Sequence, residues 1–375
     1  MTSTLIDVPS GLNGVVAADT KIGAVDGDEG FFHYGEHDAT ELARRCSFEE
    51  VWFLLRNERL PDAGELASFR AEVAQHRRVP EPLMPLVDSV AQTSVAPLAK
   101  LRTVLSASAS ALDLTPVIDV DDAERRAQTL RLAASVPAIL ARLHRRSHGL
   151  EPVVPDPTLG HAAAYLYETT GVRPTPDEAR AVEHYMILTI DHGFNASTFT
   201  ARVVASTGAD PADAVCAGLG ALAGPLHGGA PSRALDALDE IGDPANAGAW
   251  VRCEMSAGRK IMGFGHAVYR APDPRSGLLR EVAERLGGDL VDRAIAVERE
   301  ILSTLAELKP GRPLPSNVEF YAGVVMASAG LPSEMFTPTF AVSRTVGWCA
   351  HVVEQAAASK LIRPSSRYIG PSPRR

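Results

Sequence analysis

The chain has 375 residues, is 45% apolar and 22% charged, and carries a formal net charge of −9. That balance is globular and large enough for one large or two moderate domains. It argues against nonspecific nucleic-acid binding, and no run reaches the roughly 18 apolar residues of a membrane span. Cys46, Cys216, Cys253 and Cys349 are far apart with no CxxC pair. Neither a zinc ribbon nor a disulfide framework is implied, and a reducing cytoplasm fits. Met1 to Val16 has no cationic segment leading into an apolar core, so no export is expected.

In chain order, strand-like passages come first. Val15-Val16, Ile22 to Val25 and Phe31 to Tyr34 flank the turn-rich Asp26-Gly27-Asp28-Glu29-Gly30, which is suited to joining two short strands. Helical punctuation then takes over. Ser47 with Glu50 makes a capping box ahead of an apolar face at Val51, Trp52, Leu54 and Leu55. Thr175-Pro176-Asp177-Glu178 repeats the pattern with proline at the first helical position, and Asp210-Pro211 is a third start. Ala123 to Leu143 and Ala181 to Ile190 have helical apolar spacing, and Pro137 predicts a kink or break in the first of them. The fold class expected is mainly α, a two-domain helical fold built by helix packing with a small N-terminal β element.

Three histidines stand out by their company: Asp191-His192-Gly193-Phe194-Asn195, Gly224-Pro225-Leu226-His227-Gly228-Gly229-Ala230 and Gly263-Phe264-Gly265-His266. Glycine neighbours let backbone and ligand approach closely and permit φ values other residues avoid. A lone histidine of this kind reads equally well as a turn residue; three such motifs shift the balance toward a site. Glycines 228 and 229 and the break from Pro310 to Pro315 are read as hinges. They divide the chain into a discontinuous large helical domain, 1–228 with 324–375, and a small domain, 229–323, with the histidine motifs at their cleft.

These passages, with Ala267-Val268-Tyr269-Arg270, Asp273-Pro274-Arg275, Asn317-Val318-Glu319-Phe320-Tyr321 and Ile362-Arg363-Pro364, follow the order and spacing of a known family. The chain resembles the citrate synthases. The opening Gly14-Val15-Val16-Ala17 with Asp26-Gly27 is similar to that of the shorter bacterial members. The resemblance implies condensation of acetyl-CoA with oxaloacetate and thioester hydrolysis to citrate and CoA. It also implies a place in the tricarboxylic acid cycle, no prosthetic group, and a cytoplasmic homodimer whose site is shared across the interface. Within the same family the alternative is a 2-methylcitrate synthase using propionyl-CoA.

The residue types suit that chemistry. Removing a proton beside a thioester needs a carboxylate base and a donor at the thioester oxygen; resemblance assigns Glu319 and His227, with His266 donating to the oxaloacetate carbonyl. Resemblance gives oxaloacetate to His192, Asn195, Arg275 and Arg344, and to Arg363 of the neighbouring subunit; guanidinium forks match carboxylates. It gives CoA to Gly263, Phe264, Gly265, Arg270 and Asn317. Asn195 and Asn317 read equally well as helix caps. Arg344 lies in an apolar stretch where unpaired burial is costly, which favours an anionic partner over solvation at a helix edge. Tyr269 and Phe320 are expected to pack, and His161, His184 and His351 to be structural. No metal site is expected, because the motif histidines lack ligand spacing. One residue departs from the family pattern: Glu319 stands where aspartate is usual. Its extra methylene moves the carboxylate by roughly an ångström, and a shift of that size costs about 10²-fold in rate unless the backbone compensates. A catalytically weak CoA- or oxaloacetate-binding paralogue is the alternative that follows.

Overall fold

The computed structural model describes residues 6–224, 227, 230–265 and 268–372. Three short strands, β1 (Gly23–Asp26), β2 (Phe31–Tyr34) and β3 (His37–Asp38), form an antiparallel sheet in the order β1-β2-β3, with Gly23 opposite Tyr34 and Asp26 opposite Phe31. The turn joins β1 to β2 as expected. Val15-Val16 pairs with nothing in the sheet; Val16 is exposed, so β propensity there has no neighbour to pack against. Phe32 and Tyr34 point into the core, and Tyr34 Oη donates to the carbonyls of Ile187 (2.9 Å) and Asp191 (3.0 Å). The small sheet is thereby fixed to the first histidine motif.

The other regular elements among the described residues are helices. Asp38 caps α1 (Ala39–Arg45), and capping boxes start α2 (Phe48–Asn57), from Ser47 and Glu50, and α3 (Ala63–His76), from Asp62 and Glu65. Helices α4 (Met84–Ala91) and α5 (Pro97–Ser106) lead to α6 (Asp122–Ser147). Pro137 does not break α6: the helix is continuous through a stretch buried from Leu132 to Ala141. Packing on all sides offsets the one missing backbone hydrogen bond. Helix α7 (His161–Thr170) precedes α8 (Pro176–Thr189), which opens with the Thr175–Glu178 box and Pro176 at its first position. Asn195 caps α9 (Ala196–Ala205) and Asp210 caps α10 (Pro211–Leu222).

The next segment holds α11 (Ala230–Ile241), α12 (Ala247–Ser256), α13 (Pro274–Leu286) and α14 (Asp289–Leu308), then α15 (Val318–Ser328). Residue 323 lies inside α15. The chain ends on α16 (Phe336–Ala358), buried along most of its length and packed on α6, α8, α9 and α10. At its crossing with α8, Gly347 has no room for a side chain: a Cβ there would lie 2.0 Å from the Ile190 carbonyl oxygen. That close approach sets the position of the Ile190-Asp191 peptide. No helix among the described residues is long and apolar enough to cross a membrane.

Candidate active site

The first histidine motif follows directly on α8. His192 Nε2 lies 2.9 Å from Tyr269 Oη, and its ring is 5.5 Å from that of Phe32. Tyr269 therefore does more than pack. Before His192, Asp191 is 1% exposed and makes a contact the sequence reading missed: its Oδ1 lies 3.1 Å from His351 Nε2, while Oδ2 accepts from the Gly193 N–H at 3.0 Å. His351 Nδ1 in turn lies 3.0 Å from Arg202 Nη1, and Arg202 also pairs with Glu354 and donates to Gln355. Burial pushes Asp191 up, but His351, Arg344 and the Gly193 N–H outweigh it and hold the carboxyl below its usual range. His351, read as an ordinary structural histidine, thus anchors the turn that carries His192. A charged residue directly after the apolar end of α8 was the available signal, since a buried carboxylate needs partners.

Asn195 caps α9 by accepting from the N–H groups of Ser197 (3.1 Å) and Thr198 (3.0 Å). Ser197 connects it to the second motif. The hydroxyl lies 2.8 Å from both Asn195 Oδ1 and His227 Nε2, the Ser197 backbone N–H points at the same ring nitrogen at 3.4 Å, and Trp348 Nε1 donates to the hydroxyl at 3.3 Å. Burial, helped by the Arg344 charge, lowers His227 to about 4, so its imidazole is neutral near pH 7. A neutral ring carries a proton on one nitrogen only and can donate from one side while accepting on the other. Residues 225, 226, 228 and 229 of this motif lie outside the described residues, as do His266 and Ala267 of the third.

Asp273 ties the third motif to α15. It caps α13, accepts from Arg275 Nε (3.0 Å) and Nη2 (2.9 Å), and accepts from the Val318 N–H at 3.0 Å. Asn317 caps α15 through the Glu319 N–H (3.0 Å), donates from Nδ2 to the Gly265 carbonyl (2.8 Å), and donates its own N–H to Gly263 (2.8 Å). Phe264 bridges to Ser316 and stacks edge-on against Phe320 at 5.2 Å. Positive φ at Gly263 (84°) and Gly265 (77°) permits this fold-back. Both asparagines are helix caps and site-linked at once. Arg270 is mostly exposed, 3.3 Å from Asp28, and its N–H donates to Gly27 in the β1–β2 turn.

Electrostatics brings these pieces into one place. Glu319, in the first turn of α15, is raised by burial from the usual 4.5 to about 7, with Arg275 opposing the rise and Asp273 adding to it. Buried Tyr185 senses Arg344, Glu319 and Arg275 together. Arg275 is 4% exposed and lies under the Tyr269 ring at 5.6 Å. Burial lowers it, yet the Asp273 carboxylate more than compensates and the net shift is upward.

Arg344 differs. At 1% exposure it donates Nε–H to the Thr189 carbonyl (2.8 Å) and lies over Phe340 at 4.7 Å, and no carboxylate among the described residues is within ion-pair distance. The helix-edge alternative is therefore excluded, and burial lowers this guanidinium. Arg363 lies apart on the exposed C-terminal segment. A cavity of about 400 Å³ between α2, α6, α16 and the 19–22 loop is lined by Ile22, Trp52, Leu130 and Arg202 but by none of the expected site residues.

The family model for the citrate synthase C-terminal domain matches residues 11–365. Putative citrate synthase 2 of Mycobacterium tuberculosis (strain CDC 1551 / Oshkosh) is 39% identical over 370 residues, covering 97% of this chain and 93% of that protein. A 2-methylcitrate synthase of Mycobacterium tuberculosis (strain Erdman) is 39% identical over 364 residues, covering 97% of this chain and 91% of that one. A citrate synthase of Thermoplasma acidophilum, solved as a ternary complex with carboxymethyl coenzyme A and oxaloacetate, superposes with a TM-score of 0.90 at 28% identity, covering 98% of each chain. Sequence match and helical architecture agree: the chain belongs to the citrate synthase family of acyltransferases, which convert the acyl group to alkyl on transfer.

Proposed function

We propose that this protein condenses acetyl-CoA with oxaloacetate and hydrolyses the resulting thioester to citrate and CoA, with Glu319 as the base. The observation that carries this reading is the Glu319 carboxyl, held at about 7 at the start of α15 and within reach of the Arg275 charge. A general base works best with a pKa near the working pH. Glu319 takes a proton from the acyl methyl group as the electron pair moves onto the thioester oxygen. His227 stabilises that oxygen by donating its ring proton to it.

The enol carbon then attacks the oxaloacetate carbonyl carbon, and the new alkoxide takes a proton from His266. Water cleaves the citryl thioester, releasing CoA. His192, Arg275 and Arg344 bind the oxaloacetate carboxylates, together with Arg363 from a second subunit of a homodimer. Arg344 supports this most strongly, as a buried cation with no carboxylate of its own among the described residues. Asn195 holds Ser197 and so His227; Asn317 holds the Gly263–Gly265 turn. That turn, with Phe264 and Arg270, receives CoA. Residues 229–323 act as a small domain closing on the rest of the chain, and the enzyme serves the tricarboxylic acid cycle in the cytoplasm.

The test is thiol release from acetyl-CoA or propionyl-CoA with saturating oxaloacetate. A higher kcat/KM for acetyl-CoA is expected. Preference for propionyl-CoA would make the protein a 2-methylcitrate synthase, and no thiol release from either would make it a binding protein. One methylene in an apolar pocket is worth only about 1–3 kcal/mol, so measurable activity with both is compatible with the proposal.

A further inference from the structure

Away from the site, α6 ends on His144 and His148, one turn apart, and Glu334 reaches both from the short turn Ser333–Met335 ahead of α16. Glu334 Oε1 lies 2.9 Å from His144 Nδ1 and 3.3 Å from His148 Nε2, and one ligand-type atom from each residue falls within 4.8 Å of the other two. Tetrahedral bonds of about 2.0–2.1 Å place neighbouring ligand atoms roughly 3.3 Å apart, so these separations need little adjustment to hold an ion.

Proton placement argues in the same direction. His148 Nδ1 is 2.9 Å from the His144 carbonyl oxygen. A carbonyl only accepts, so Nδ1 keeps the proton and the neutral ring turns its Nε2 lone pair toward Glu334, another acceptor. Two acceptors facing each other require a cation between them, either a proton on Nε2 or a metal ion. Anchoring the far nitrogen on a backbone carbonyl is also how metal-binding histidines are oriented.

We propose that His144, His148 and Glu334 bind one divalent ion of the zinc class, water completing the tetrahedron, and that the ion clips the C-terminal end of α6 to the turn that starts α16. Two imidazoles and one carboxylate suit zinc, cobalt or nickel rather than magnesium or calcium. The ligands come from segments nearly two hundred residues apart. His148 and Glu334 are about half exposed, which gives the ion a path in from solvent.

Tag-free protein stripped with EDTA is titrated with Zn²⁺ by calorimetry, beside His148→Ala and Glu334→Ala, with melting followed in parallel. Saturable binding of one zinc per chain, a zinc-dependent rise in the parent's Tm, and at least about tenfold weaker binding in each variant are expected, with unchanged turnover. A parent that takes up no zinc in this way overturns the proposal. So do variants that bind zinc as tightly as the parent, which would leave a proton as the only cation between His148 and Glu334.

Discussion

Replacing Glu319 by glutamine should make the protein more stable while disabling it, and the gain should appear only at the pH where the carboxyl would ionise. Folding raises this group from 4.5 to about 7, so between those values the folded chain binds more protons than the unfolded one. Stability therefore falls as pH rises through that window and stays lower above it. At about 1.4 kcal/mol per pH unit the ionised side chain costs about 3 kcal/mol at most; partial screening of a half-buried group brings this to about 1–3 kcal/mol. Glu168, also raised to about 7 by burial, is present in both proteins and cancels. Urea unfolding of parent and Glu319→Gln, at one protein concentration and at a series of pH values from 4.5 to 8, measures the effect. The variant should gain little at the acid end and about 1–3 kcal/mol at the alkaline end. A difference that does not change with pH would refute the claim that burial holds this carboxyl near neutrality.

His227→Ala should still fold and should lose about 10²- to 10⁴-fold in turnover, read by thiol release; parent-like turnover would remove His227 from the chemistry. Gly347→Ala drives a methyl group into the Ile190 carbonyl and should lower stability by about 1–3 kcal/mol, as overpacking does, while raising the KM for oxaloacetate by displacing the Asp191-His192 turn; an unchanged melt would contradict this. Arg363→Ala should raise the KM for oxaloacetate without altering Tm, and light scattering should find the proposed dimer in parent and variant alike. A fully active monomer would end the shared-site proposal.

The parts legible in the sequence are those whose physics is local. The Ser47–Glu50 and Thr175–Glu178 boxes satisfy backbone donors within four residues, and both helices start where those boxes place them. Asn195 and Asn317 were readable as caps for the same reason. What resisted reading depends on residues distant in sequence. Asp191 meets His351, and His351 meets Arg202, across spans of 160 and 149 residues that no periodicity announces. In the sequence Asp273 reads only as a neighbour of Arg275, although it is the carboxylate that joins that arginine to the first turn of α15. Pro137 carries a helix-breaking signal that burial on every side overrides, and Val15-Val16 carries strand propensity with no strand beside it. The His144–His148 spacing was visible on α6, but its third partner, Glu334, lies far along the chain.

The central claim is that a glutamate at position 319 is the working base of an acyl-CoA condensation. The direct measurement is kcat for the parent, Glu319→Gln and Glu319→Asp with acetyl-CoA and oxaloacetate both saturating. Glutamine keeps the shape and removes the basicity, so turnover should fall by about 10²- to 10⁴-fold. Aspartate withdraws the carboxylate by roughly an ångström from surroundings fitted to the longer side chain, so turnover should fall by up to about 10²-fold. Glu319→Gln turning over as fast as the parent would show that another residue is the base, and a gain in Glu319→Asp would show that the site is not fitted to glutamate.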